Sequence, residues 1–476
     1  MSAPHPERTA TDDDVDVVVL GGGPVGENLA QYAVEGGLSA TIVEGERYGG
    51  ECSYWACIPS KALLRPAAVA TTSTRLHGVV PTDVDRDALL ARRDEWVSHY
   101  DDSGQYEWAE SAGITALRGQ ARLVGEREVE VEGEGGTRRL RARRAVVIAT
   151  GSEAVVPEPY RAAHPWDSRD ATAVREVPDR LVIVGGGVVA CEAATWMAAL
   201  GSHVTMLVRG PGLLERMEPF AGEVVADSLR AKGVDVRLAT EAGGCERRDG
   251  QDTGVGRIHG GPVTLTTGDG SIEADELLVA TGRRPRLGDV GLDAVGLTAQ
   301  DVTDGRLPQW LHALGDAGGE APLTHWGKYR ARVLGSRLTA EAEGRPVEPV
   351  PDDVPVPQAV FTDPQVGSVG ATEQEAREAG RDVVTSEVAF DGAAGGALLR
   401  DDVAGRASIV VDRSTGCLLG ATFVGPEAGE LVHGATIAIV GRTPVHLLRH
   451  AVPSFPTASE LWLRLLEDLP TRLRRP

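Results

Sequence analysis

Twice in this chain a β-branched run feeds a glycine turn, a helical stretch and another apolar run. This duplication limits the possible folds more than any other feature. Residues 15–20 (Val-Asp-Val-Val-Val-Leu) predict a buried strand. They lead into Gly21-Gly22-Gly23-Pro24-Val25-Gly26 and a helical pattern over 27–35, which Gly36-Gly37 stops before a second strand over 40–44. The same order returns later: a strand over 181–184, the turn Gly185-Gly186-Gly187, a helix over 188–200 and a strand over 203–208. Strands joined through a helix pair in parallel, so the expected class is α/β with two doubly wound domains.

The spacing within the turns says what they can hold. In Gly21-x-Gly23-x-x-Gly26 the glycines permit a tight turn, let the backbone approach a pyrophosphate and let helix pack on strand. The helix N-terminus then stabilises the anion. Glu44 ends the next strand, where a carboxylate can accept hydrogen bonds from a ribose; an exposed strand-end acid is the plainer alternative. The second turn, Gly185-x-Gly187-x-x-Ala190, has no acid at the matching strand end. Arg209 is read at that place with Arg216 beyond it, which suits a 2′-phosphate; a solvated loop charge is the alternative. The expectation is FAD at the first turn and NADPH at the second, with NADH possible.

Just past the first unit lies Cys52-Ser53-Tyr54-Trp55-Ala56-Cys57, followed by Ile58-Pro59-Ser60-Lys61. In an uninterrupted helix, residues five apart have Cα atoms more than about 7 Å apart, farther than a relaxed disulfide allows. A bridge here needs local distortion and should be readily reduced. Taken alone, the pair also reads as two unrelated thiols in a loop. Five cysteines in 476 residues do not build a disulfide scaffold, so a cytoplasmic setting is expected, with Cys191, Cys245 and Cys417 incidental. A net charge of -22 repels nucleic acid. The Arg-rich stretch 471–476 reads as a solvated tail, residues 1–14 lack an apolar signal core, and no apolar run reaches membrane-spanning length. No metal site is expected.

A later strand in each unit ends in Ala-Thr-Gly, at Ala149-Thr150-Gly151 and Ala280-Thr281-Gly282, and Gly151 and Gly282 join the expected cofactor-binding residues. Residues 126–138 alternate charge and glycine like a hairpin tip, and 341–357 are rich in proline and acid like a linker. Beyond 361, strands over 407–411 and 418–424 mix with helices over 430–441 and 458–467, an α+β pattern. The predicted domains are 1–152 with 283–350 for FAD, 153–282 for NAD(P), and 351–476 as an interface domain.

The ordered set of two dinucleotide turns, Cys-x4-Cys-x-Pro-Ser-Lys, two Ala-Thr-Gly strands, Leu314-Gly315-Asp316 and Phe361-Thr362-Asp363-Pro364 resembles the flavoprotein disulfide reductases over about residues 15–465. This pyridine nucleotide-disulfide oxidoreductase family includes dihydrolipoamide dehydrogenase, glutathione reductase and mercuric reductase. The resemblance implies that Cys57 lies against the flavin and that Cys52 exchanges with an outside disulfide. It implies that Asp316 binds the FAD ribityl chain and that Lys61 pairs with Glu192 on the second nucleotide helix. A thiol near Lys61 and a flavin would favour the thiolate. It also implies a homodimer with shared active sites, the last domain serving dimerisation.

One stretch departs from the family pattern. Where the family carries His-Pro-Thr and a later Glu, with the partner subunit's His as acid/base, this chain reads Phe455-Pro456-Thr457 with Glu460 retained. His433, His446 and His450 lie nearby in sequence. A phenyl ring moves no proton, and losing a general base costs about 10²- to 10⁴-fold in the assisted step. The sequence therefore predicts an FAD-dependent NAD(P)H oxidoreductase with a Cys52/Cys57 pair and an unassigned small-molecule acceptor, quinone-like or disulfide. The alternatives are a dihydrolipoamide dehydrogenase or low-molecular-weight disulfide reductase with a replaced base, and a flavin redox sensor without turnover.

Overall fold

The computed structural model describes residues 14–351 and 353–475. The reading of the N-terminal stretch falls outside them apart from Asp14, as does the last residue of the Arg-rich tail. The described residues divide into two compact units: 14–58, 97–153 and 283–351 form one, and 59–96, 154–282 and 353–475 the other.

The first unit is built on a seven-stranded sheet. Strand β1 (Asp14–Leu20) pairs in parallel with β2 (Ala40–Glu44) on one side and with Gly136–Ile148 on the other. Thr115–Arg118 adds in parallel beyond β2, and Leu311–Ala313 pairs in parallel with Gly136–Ile148. Val17, Val18 and Val19 are wholly buried, which is why β1 reads as a continuous apolar run rather than an alternating one. Helix α1 (Pro24–Glu35) crosses from β1 to β2 and packs on the helix Thr324–Glu343. It begins a turn earlier than the predicted 27–35, because proline at the first helical position gives up no hydrogen bond. The expected hairpin tip joins Glu128–Gly133 to Gly136–Ile148, with Gly133 opposite Gly136.

The second unit holds a four-stranded parallel sheet in the order Asp235–Arg237, His203–Leu207, Arg180–Val184, Glu276–Val279. Helix Val188–Ala199 makes its crossover. The same unit holds a five-stranded antiparallel sheet in the order Gln358–Val360, Gln365–Gly370, Leu418–Gly425, Arg406–Asp412, Val383–Ala389. Helices Ala428–Val440 and Glu460–Asp468 cover this sheet, and Phe390, Phe423, Leu461 and Leu465 are wholly buried in its core. The expected linker over 341–357 starts too early, because the helix Thr324–Glu343 runs through its first three residues; among the described residues 345–357 there is no helix or strand. The class is thus α/β, with doubly wound sheets and a C-terminal α+β domain.

Candidate active site

Each glycine turn begins at a position that admits no side chain, and in the second turn a Cβ on Gly185 would stand 2.4 Å from the Ala280 carbonyl oxygen. Gly21 has φ +111°, and a Cβ there would stand 2.4 Å from the Ala149 carbonyl oxygen. A Cβ on Gly26 would stand 2.0 Å from the Gly21 carbonyl oxygen, so the helix lies directly on the turn. At Gly23 the nearest neighbour of a Cβ is Gly50 Cα at 3.9 Å, and at Gly187 nothing lies within 4 Å. Both second glycines therefore leave room at a helix N-terminus for an anion to approach the backbone. These residues fit the pyrophosphates of FAD and of a nicotinamide dinucleotide.

The two strand ends differ in chemistry. Glu44 Oε2 accepts the Gly22 N–H at 2.7 Å and Oε1 accepts the Glu46 N–H at 2.6 Å, while burial raises its pKa. Gly21 N–H donates to Val43 and Gly185 N–H donates to Leu207, so Val208 is the counterpart of Glu44. Arg209 follows one residue later than the sequence reading assigned it. The strand ends at Leu207, and beyond it the Val208 N–H donates to the Arg237 carbonyl while the Val208 carbonyl accepts the Thr240 N–H. Arg209 and Arg216 are both exposed.

Asp316 Oδ2 accepts the Ser152 hydroxyl at 2.5 Å, and Arg283 Nε donates to that hydroxyl at 2.8 Å. Arg283 also pairs with Glu51 at 3.2 Å, one residue before Cys52. Gly151 has φ +74° and Gly282 φ +142°, backbone that only glycine adopts without strain.

The cysteines sit at an interrupted helix. Helix α2 (Gly50–Tyr54) carries Cys52, and helix α3 (Cys57–Thr74) begins at the second thiol. Between them Trp55 has φ −127° and ψ −9°, which breaks the helical path. The break supplies the distortion that a continuous helix would lack, and the two half-buried thiols are close together. Cys57 Sγ lies 3.4 Å from the Thr324 hydroxyl. Elsewhere in the chain, burial pushes the Cys191 thiol far up, and pushes the Cys245 thiol up to about 11.

Sequence reasoning missed the support beneath this loop. The Trp55 indole stacks on Tyr100 with centroids 4.8 Å apart and planes at 30°. The Arg47 guanidinium lies 5.3 Å from the indole centroid, and its Nε donates to the Tyr100 carbonyl at 2.9 Å. Ser98, His99 and Tyr100 have φ of 49°, 53° and 64°, three successive left-handed residues with no glycine among them. Each costs about 1–2 kcal/mol and persists only where surrounding contacts hold it.

In the second unit, Lys61 Nζ bonds both Glu192 oxygens, at 2.8 and 3.1 Å. Glu192 is 4% exposed, and its Oε1 also accepts the Phe361 N–H at 2.9 Å. The Phe361 ring lies under the ammonium at 4.8 Å. The C-terminal stretch lies in this unit too. Phe455 is 77% exposed. Glu460 is buried, and its Oε2 accepts the Gly395 N–H at 3.3 Å. None of His433, His446 and His450 hydrogen-bonds Glu460 among the described residues. Those residues also offer no cluster able to hold a metal ion, and no helix long and apolar enough to cross a membrane.

Two glycine turns at helix N-termini, a close cysteine pair beside the first and a C-terminal antiparallel sheet are the features of a flavin-dependent thiol–disulfide class of protein. The sequence comparisons agree. Residues 15–307 match the family model described as pyridine nucleotide-disulphide oxidoreductase, and residues 356–465 match that family's dimerisation domain. The chain belongs to this family, whose members bind FAD and use NAD(P)H. It is 32% identical to a dihydrolipoyl dehydrogenase of Haloferax volcanii over 95% of this chain and 96% of that one. It is 33% identical to a mercuric reductase of Shigella flexneri over 93% of this chain and 78% of that protein. Among solved structures it is similar to the HOCl-induced flavoprotein disulfide reductase RclA of Escherichia coli. The TM-score is 0.80 at 25% identity, over 96% of this chain and 100% of that one.

Proposed function

We propose that this protein is an FAD-dependent NAD(P)H oxidoreductase with Cys52 and Cys57 as its redox-active pair, NADPH as preferred donor, and a quinone-like or disulfide acceptor. The helix break between Tyr54 and Cys57 carries the reading, because it brings the thiols together beside the first dinucleotide turn. Residues 1–152 with 283–350 would hold FAD, with Glu44 on its ribose and Asp316 on its ribityl chain. Residues 153–282 would hold the nicotinamide dinucleotide. Bound FAD supplies two-electron carriage between nicotinamide and thiol. The chain's own residues do the rest. The Cys52–Cys57 bond breaks as it takes two electrons and two protons, Cys57 being the thiol on the flavin side and Cys52 the exchanging one. Lys61 holds a positive charge that Glu192 balances.

The apolar Val208 in place of an acid, followed by Arg209 and Arg216, supports NADPH, although the Glu215 carboxylate lies against Gly210 in the same loop. A homodimer is supported by the dimerisation-domain match and by Ile437, Val440, Leu447, Val452 and Phe455, all exposed in the single chain. Phe455 in place of the imidazole argues against efficient thiol turnover and for an acceptor that needs no thiol proton. The second reading, an ordinary dihydrolipoamide dehydrogenase, draws on the relatives of that name and on the retained Glu460.

The test is a steady-state screen of NADPH oxidation with lipoamide, glutathione disulfide, naphthoquinones, and mercuric and cupric ions, for wild type, Phe455→His and Phe455→Ala. The expected result is slow lipoamide turnover that Phe455→His raises on the order of 10²-fold, with quinone reduction unchanged. Brisk wild-type lipoamide turnover, unaffected by Phe455→Ala, would restore the ordinary disulfide-reductase reading.

A further inference from the structure

We propose that Tyr100 and Arg47 are positioning residues for the cysteine pair: they clamp Trp55, which lies between the two thiols, and so set the balance between disulfide and dithiol. The proposal rests on the reading of Cys52 and Cys57 as redox-active.

Three observations converge on Trp55. Its indole is 8% exposed, lies against the Tyr100 ring at 4.8 Å and carries the Arg47 guanidinium at 5.3 Å. Arg47 binds both partners, because its Nε also donates to the Tyr100 carbonyl at 2.9 Å. The segment that presents Tyr100 is left-handed at Ser98, His99 and Tyr100, a conformation that these residue types do not choose unaided. It is pinned on its far side too. The Asp102 carboxylate accepts the Tyr48 N–H at 2.7 Å and pairs with Arg118 at 2.8 Å, and the Tyr54 hydroxyl donates to Gln105 at 2.8 Å.

The clamped residue is the one at which the helix breaks. Fixing Trp55 fixes the path from Cys52 to Cys57, which raises the effective concentration of one thiol at the other. Reduction breaks the S–S bond and adds two electrons, supplied by NAD(P)H, and two protons. Only the disulfide needs the path held, so the clamp favours the disulfide over the dithiol. Ordinary core packing would stabilise both forms alike.

The experiment equilibrates the FAD-loaded protein with graded dithiothreitol redox buffers, traps thiols by alkylation and quantifies the peptide spanning 50–61 by mass spectrometry. Tyr100→Ala and Arg47→Met are each expected to shift the equilibrium toward dithiol, Tyr100→Ala by about tenfold, or about 30 mV for a two-electron couple. Tyr100→Phe, which keeps the stacked ring, is expected to stay near wild type. If Tyr100→Ala fails to fold, Arg47→Met decides alone. Wild-type midpoints in every folded variant, or a shift toward disulfide, overturn the clamp and leave the redox reading intact. A wild-type peptide fully alkylated in every buffer overturns the redox reading itself.

Discussion

Replacing Glu192 with Ala removes the acceptor at the centre of a three-way contact. The carboxylate takes Lys61 Nζ at 2.8 and 3.1 Å and the Phe361 N–H at 2.9 Å. Loss of the second bond leaves a backbone donor without its charged acceptor, which costs about 1.5–3 kcal/mol. The Lys61 side chain is 36% exposed, so solvent screening discounts its share of the pair to about 1 kcal/mol. Together these give about 3 kcal/mol, or a fall of about 6–12 °C in the unfolding midpoint at about 2–4 °C per kcal/mol. Glu192→Gln keeps an acceptor for Phe361 and should cost only about 1 kcal/mol. Thermal unfolding followed by circular dichroism ranks the variants, and stopped-flow reduction by NADPH is expected to slow most in the Ala variant. Equal midpoints for wild type, Gln and Ala would refute the reasoning, since the contact would then carry no stabilisation.

Two more outcomes follow from the nucleotide turns. Arg209→Glu should weaken NADPH binding by about 1.5–3 kcal/mol, about 10- to 100-fold, and shift preference toward NADH; isothermal titration with both nucleotides checks it, and a wild type that already prefers NADH sinks it. Glu27, in the first turn of α1, has Oε1 sealed from solvent without a partner, and burial pushes its pKa from 4.5 up to about 7. Because the folded value lies above the unfolded one, the linked stability is present below pH 4.5 and is lost as pH rises through about 7. Glu27→Gln should therefore match wild type near pH 4 and exceed it near pH 8 by on the order of 3 kcal/mol; chemical denaturation at the two pH values reads the difference, and a constant gap would contradict it.

What could be read from the sequence was local. Gly26 marks its turn because the nearby Gly21 carbonyl forbids any side chain, and the wholly buried β1 announces itself as an unbroken apolar run. Helix starts were less legible: Pro24 and Gly26 hide the first turn of α1. The pairing of Lys61 with Glu192 spans 131 residues and leaves no local sign, so only family resemblance suggested it. The position of Arg209 was off by one because strand ends depend on pairing register, not composition. The Trp55–Tyr100 stack was invisible for a different reason. A left-handed turn of Ser-His-Tyr carries no glycine or asparagine to flag it, and tertiary contacts alone impose it. The aromatic pair Tyr54-Trp55 inside the cysteine segment was the one available signal.

The central claim is that the Cys52/Cys57 pair is a second electron store beside the flavin. Anaerobic reductive titration of the FAD-loaded protein tests it most directly, with flavin absorbance as the readout. Wild type should consume one two-electron equivalent for the flavin and another for the cysteines before the flavin is fully bleached. The Cys52→Ser, Cys57→Ser double variant should consume half as many. Equal electron uptake by the two proteins would contradict the account.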